Sequence, residues 1–265
     1  MSGRSVPLEI GTAVGAADEH HVQVRGLDLV DDLIGELTYT EVALLAVTGR
    51  RPTPAETKVV DAVLVSLLDH GLTPSALAAR LTFWSAPEAI QGAVAAGLLG
   101  AGSVLLGSME GCGRLLTDLA DDLADGVATG AEARDAVDTR LRAIVDAGGR
   151  IPGLGHSLHR DGDPRAGKLL AVARDQGVAA RHVEHLELVV ERAAALTGKA
   201  LPLNATGAAA ALLLEVGVPW RLHRGFALMS RTAGLVAHVG EELESPIAPA
   251  VRAALRAASR IEPEV

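Results

Sequence analysis

Cysteine is nearly absent from the 265 residues. Cys112 stands alone, so no internal disulfide and no cysteine-rich metal site can form. Aromatic residues reach only 2%, too few large flat side chains to fill a β-sandwich core. The 49% hydrophobic fraction is instead mostly Ala, Leu and Val, which suits closely packed helices. Positive charge is in deficit: the formal net charge is −9. No basic stripe offsets it, which argues against nucleic acid as a partner. No apolar run approaches the roughly 20 residues of a membrane span. The segment Met1–Val6 lacks the hydrophobic stretch of a signal peptide. The expectation is a soluble, cytoplasmic protein with neither membrane nor nucleic acid as partner. Its length allows one large core or two unequal domains.

What is present has mostly helical period. Leu8, Ile10, Val22 and Val24 alternate with polar residues around Gly15 and suggest a short hairpin. Arg25 to Leu29 then opens a helical pattern that closes near Gly35. Thr38, with Glu41 three positions on, spells a capping box, and Gly49 and Pro52 end the helix it starts. In Pro54 to Asp69, residues Val59, Val60, Val63, Leu64 and Leu67 share one face. Further helices are expected from Thr73 to Trp84, Pro87 to Leu99, Gln176 to Thr197, Ala208 to Val216 and Phe226 to Glu242. An exposed helical pair is expected over Thr117 to Val145, and one more helix after Pro246. Gly92, Gly97, Gly100 and Gly102 would allow close helix contact, in a tight core or a dimer interface. His182 and His185, three positions apart, share a helix face with Glu187 close in sequence, but no third ligand is evident, so no metal is expected. Arg231 enters an otherwise apolar helix, where a charge needs a partner. With no strand-rich region and no repeat, the fold class is all-α.

One stretch departs from this regularity: Pro152-Gly-Leu-Gly-His-Ser-Leu-His-Arg-Asp-Gly-Asp-Pro-Arg-Ala166. Gly153 and Gly155 let the backbone approach a ligand where a Cβ would obstruct it. Asp163 can cap a helix that begins at Pro164. A loop that delivers His156, Arg160 and Arg165 together is suited to holding an anion and moving a proton. A surface loop with incidental charges is the plainer alternative.

Gly155-His156 followed by Asp163-Pro164-Arg165, with His156 and Arg165 nine positions apart, resembles the signature of the citrate synthase family, which includes the citryl-CoA lyases. Asp69-His70-Gly71 followed by Ser75 to Arg80 resembles a second motif of that family. The string from Val24 to Thr53 and the helix bearing Ser230-Arg231-Thr232 resemble two more, all in the family's order. The resemblance implies an all-helical homodimer in which each subunit has two domains. The large domain would comprise 1–105 and 213–265, the small one 106–212, with the active site between them. It implies that His70 and His156 contact an oxaloacetate-like substrate, His156 near the carbonyl oxygen. Arg165 and Arg231 would clamp its carboxylates, a task suited to a permanently charged, bidentate guanidinium. Arg160 matches a position that meets coenzyme A in some members, so coenzyme A is the implied cofactor, as acyl-CoA substrate or product. Asn204 falls in the family's substrate-binding segment.

Two departures accompany these matches. Synthases carry a histidine before Gly-Gly-Ala, where this chain reads Leu105-Leu106-Gly107-Ser108; lyase-type relatives also lack it. The segment Asn204-Ala205-Thr206-Gly207 stands where the family usually reads Asn-Val-Asp, which puts Thr206 at the general-base position. A threonine hydroxyl has no pKa near neutrality and cannot replace a carboxylate there. Glu110 and Asp163 are substitute bases by location. The sequence therefore supports a citryl-CoA lyase-like or citrate synthase-like enzyme. A catalytically silent relative that binds a carboxylate or CoA metabolite and regulates a partner is the alternative.

Overall fold

The computed structural model describes residues 11–123, 130–155 and 162–259. His156, Arg160, Leu8 and Ile10 lie outside the described residues. Among the described residues the chain is all-α apart from a small antiparallel sheet, ordered β1 (Gly15–Ala17), β2 (Val22–Val24), β3 (Leu27–Asp28). Gly15 pairs with Val24 and Ala17 with Val22. The hairpin therefore turns at Asp18 to His21 and not around Gly15. Asp18 fixes that turn by accepting the backbone N–H groups of His20 and His21. The expected helical opening at Arg25 to Leu29 is also corrected. Arg25 (φ 53°) and Gly26 (φ 81°) reverse the chain, and only a five-residue π-helical turn, Leu29–Leu33, follows under an Asp28 cap.

Helix boundaries follow the capping chemistry. α1 (Tyr39–Thr48) starts with the Thr38/Glu41 capping box and stops at left-handed Gly49. α2 (Pro54–Leu67) has a second box, Thr53/Glu56, with Pro54 in the first turn. Thr73 caps α3 (Pro74–Ser85), and α4 (Ile90–Leu99) follows. α5 (Ser103–Asp122) and α6 (Gly130–Asp146) form the acidic pair, tied by Arg140, which donates to both Asp118 and Asp122. Asp163 caps α7 (Pro164–Asp175), as its sequence indicates. α8 (Arg181–Thr197) ends at left-handed Gly198. α9 (Ala205–Glu215), α10 (His223–Glu244) and α11 (Ala248–Ala258) complete the order.

The core is built around α9. Ala208 through Leu213 are fully buried, and α2, α5, α7 and α8 all pack on this helix. Alanine makes that possible, because small side chains let several backbones approach one axis. A separate cluster of Phe83, Ala93 and Val239 joins α3, α4 and α10. Gly97 serves it: an added Cβ would meet Leu235 Cδ1 at 2.7 Å and the Ser75 carbonyl at 3.0 Å. The glycine expectation thus holds for Gly97 as a tight core contact.

Candidate active site

One cavity of about 670 Å³ gathers residues from distant parts of the chain: His70, Leu106, Arg150, Asp163, Arg165, Asn204, Thr206 and Arg231 all line it. His70 comes from the loop after α2, which Asp69 shapes by accepting the Gly71 N–H at 2.8 Å. Gly71 is left-handed there (φ 73°). Arg165 sits at the start of α7 and Arg231 within α10; Asn204 and Thr206 form the start of α9. The structure thus brings together five of the seven expected site residues. The other two, His156 and Arg160, fall in the undescribed span between Gly155 and Gly162, and Gly155 itself lines the cavity.

The loop carrying Gly153 and Gly155 is stitched to the head of α9. Asn204 N–H donates to the Gly153 carbonyl (3.0 Å) and Gly155 N–H to the Pro202 carbonyl (2.7 Å). Asn204 Nδ2 donates to the Gly155 carbonyl (2.8 Å), while its Oδ1 accepts from Gly207 N (3.0 Å) and Thr206 Oγ1 (2.7 Å). The Asn204 side chain thus holds backbone through both its oxygen and its nitrogen, and it also lines the cavity. One expectation is corrected here. The unhindered backbone of Gly153 serves packing and not ligand approach: a Cβ on it would meet Cys112 Sγ at 2.8 Å and Gly207 Cα at 2.9 Å. The helix expected from Ala208 also starts earlier, at Ala205, with Asn204 as N-cap. Propensity obscures this, since a Thr-Gly pair reads as a turn until the cap is recognised.

The two arginines differ in pairing. Arg165 makes a bidentate contact with Asp163, Nε–Oδ1 3.0 Å and Nη2–Oδ2 2.9 Å. The Asp163 side chain is fully buried and also accepts the Ala205 N–H at 2.9 Å. Burial would raise its carboxyl pKa, but Arg165 and the backbone donors outweigh this and hold it at about 2. Asp163 is accordingly a permanent anion and a poor proton acceptor at neutral pH. Glu110, the other substitute base, pairs with Arg224 and does not line the cavity. Arg231 is far less compensated. Its side chain is only 11% exposed and its Nη1 lies 3.7 Å from Asp69 Oδ1. Among the described residues that Nη1 has no hydrogen-bond partner. Burial pulls its pKa down from the usual arginine value, and Arg165 nearby acts in the same direction.

Sequence reasoning missed Arg150, Ser108 and Asp69. Ser108 Oγ accepts the Gly153 N–H at 2.8 Å and so braces the same loop. Arg150 adds a third guanidinium to the cavity wall; its position directly before Ile151-Pro152 was the available signal. Leu106 stands in the wall beside Gly107 and Ser108, an apolar surface in the segment where synthases carry a histidine. Among the described residues, three arginines and one spent carboxylate make a cationic hollow in a protein of net charge −9. Its volume and mixed lining are those of a small-molecule site.

The helical frame and this cationic cavity define a class: an all-α protein with a recess suited to a small polyanion. The citrate synthase C-terminal domain model matches residues 10–253, and the chain belongs to the citrate synthase family. A putative citrate synthase 2 of Mycobacterium tuberculosis is 32% identical over 199 residues, 72% of this chain and 49% of that protein. A citrate synthase of Haloferax volcanii is 27% identical over 221 residues, covering 83% and 55%. The chain thus spans about half the length of these relatives. A citryl-CoA lyase from Hydrogenobacter thermophilus superposes with a TM-score of 0.83 at 32% identity, covering 97% of this chain and 95% of that one. The citrate synthase from Thermoplasma acidophilum in complex with carboxymethyl coenzyme A and oxaloacetate shares the fold at a TM-score of 0.62 and 20% identity, covering 78% and 54%.

Proposed function

We propose that the protein is a citryl-CoA lyase-type enzyme that breaks or makes a carbon–carbon bond between an acyl-CoA and oxaloacetate or a related 2-keto acid. The observation that carries this reading is the convergence of Arg165, Arg231 and His70 on one cavity. Similarity in length and fold to a citryl-CoA lyase supports it. Arg165 and Arg231 hold carboxylates, the under-compensated Arg231 gaining most from a ligand anion. His70 and His156 face the oxygen that alternates between hydroxyl and ketone, and imidazole can take and return its proton near neutral pH. In cleavage that proton leaves the hydroxyl, the adjacent C–C bond breaks, and the electron pair passes to the thioester-stabilised enolate. The enolate then takes a proton to give the acyl-CoA. Thr206 donates its hydroxyl hydrogen to Asn204, and its oxygen accepts from the water that supplies this proton, which the imidazolium then reprotonates. Leu106 supplies the apolar wall. Arg160 meets coenzyme A. The large domain, 1–105 with 213–265, contributes His70 and Arg231; the small domain, 106–212, contributes Arg165, Asn204 and Thr206. The working unit is a cytoplasmic homodimer.

The test is turnover of citryl-CoA, followed as oxaloacetate release, together with calorimetric binding of citrate. Wild type is expected to turn over, and Arg231→Ala to lose at least tenfold in citrate affinity, or about 1.4 kcal/mol. Citrate binding without turnover, with activity appearing in Thr206→Asp, would replace this reading by the catalytically silent relative. Absence of both binding and turnover would remove the lyase assignment.

A further inference from the structure

Behind Arg231 lies a group of charged side chains that the proposed chemistry does not use. Arg231 and His238 are seven residues apart on α10, two turns along the same face. Between them Gly234 has no side chain, and an added Cβ there would collide with the Leu68 carbonyl oxygen. The loop from Leu68 to Gly71 therefore rests directly on the α10 backbone, with Ser230 Oγ also donating to the Leu64 carbonyl. This docking places Asp69 between the two α10 side chains. Its Oδ1 takes His238 Nε2 at 2.9 Å but stands 3.7 Å from Arg231 Nη1. Asp69 Oδ2 is occupied by the Gly71 N–H.

That geometry is unexpected for an acid beside a buried arginine. A carboxylate free to choose would form the bidentate pair seen between Asp163 and Arg165. Asp69 is instead held by an imidazole and a backbone amide, both directed at its oxygens. On the far side of His238, Glu241 Oε2 lies 3.7 Å from Nδ1, and that carboxylate is itself anchored 2.6 Å from Arg80. The imidazole is thus framed by two acids whose positions are fixed from elsewhere in the fold.

We propose that His238 is a positioning residue: by hydrogen-bonding Asp69 it withholds that carboxylate from Arg231 and keeps the arginine available to a ligand carboxylate. Asp69 balances part of the buried charge without capping it. The inference rests on the reading of Arg231 as a carboxylate-binding side chain. Loss of His238 lets Asp69 close on Arg231 as an internal competitor.

The experiment uses three variants and two readouts. Citrate affinity is measured by calorimetry, and the reactivity of Arg231 toward phenylglyoxal is measured by peptide mass spectrometry. His238→Ala is expected to weaken citrate binding about tenfold and to protect Arg231 from the reagent. His238→Gln, which still offers an N–H to Asp69, is expected to retain most of both signals. The decisive variant is His238→Ala combined with Asp69→Asn, which removes the competing charge and should restore affinity and reactivity toward wild-type values. If the double variant binds citrate no better than His238→Ala, and Arg231 stays equally protected, the withholding role is overturned in favour of simple structural support. If wild type does not bind citrate, the lyase reading fails, while the labelling pattern alone still decides whether His238 holds Asp69 off Arg231.

Discussion

Two buried side chains tie stability to acidity at the scale of single residues. Asp163 titrates at about 2, below its ordinary 3.8. A carboxyl depressed on folding stabilises above its unfolded pKa and loses that contribution as pH falls toward 2. Its share at neutral pH is roughly 2.5 kcal/mol. His223 is fully buried at the start of α10 and bonds the Val218 carbonyl at 3.1 Å. Burial lowers its pKa from 6.5 to about 4. The unfolded chain takes up that proton first, so stability falls as pH drops from about 6.5 to 4, by roughly 3 kcal/mol. Urea denaturation at pH 7, 5 and 4 should show this decline, and His223→Gln should flatten it. An unchanged slope in the variant would assign the decline to other groups, such as His182 and His185, whose pKa values burial also lowers. Asp163 should act only below that range, and Asp163→Asn should lower stability at pH 7.

Between elements, contact often depends on a missing methyl group. Gly207 in α9 meets the 153 loop so closely that an added Cβ would lie 2.5 Å from the Gly153 carbonyl oxygen and 2.9 Å from Leu203 Cδ1. Gly207→Ala should therefore destabilise by about 1–3 kcal/mol, despite alanine's better helix propensity. Gly240 in α10 is exposed with no atom within 4 Å of the added Cβ. Gly240→Ala should stabilise by about 0.5–1 kcal/mol. Thermal melts of the two variants should move in opposite directions; a shared direction would mean propensity, and not contact, governs both. These glycines were visible in the sequence, but their partners were not. Gly207 and Gly153 are far apart in the chain, and spacing gives no sign that they touch.

Across the whole molecule, a buried arginine joins three helices. Arg80 of α3 is 1% exposed and donates to Glu242 and Glu241 at 2.6 Å each and to the Ser245 carbonyl at 2.9 Å. Glu242 in turn accepts the N–H groups of Ile247 and Ala248 at the head of α11. Arg80→Ala leaves buried Glu242 uncompensated and should cost about 3–5 kcal/mol. Hydrogen exchange should rise first in α11; exchange confined to α3 would contradict the link. At this scale the helical class and the four motifs were legible, because periodicity and capping are local: Thr38/Glu41 and Asp163-Pro164 behaved as their spelling indicates. The pairing of Arg165 with Asp163, the backbone bonds of the Asn204 side chain and the seating of Asp69 on α10 were not legible. Each depends on which distant backbone comes alongside. The cavity has one more consequence, in time. Its lining runs from Leu67 to Arg231, so during synthesis the last wall emerges only when α10 does. A nascent chain halted before that helix already contains the partners of Asn204, yet Asp69 still awaits His238. The pocket is therefore complete only once α10 has been made, and a chain that stops before Arg231 lacks one of its guanidinium groups.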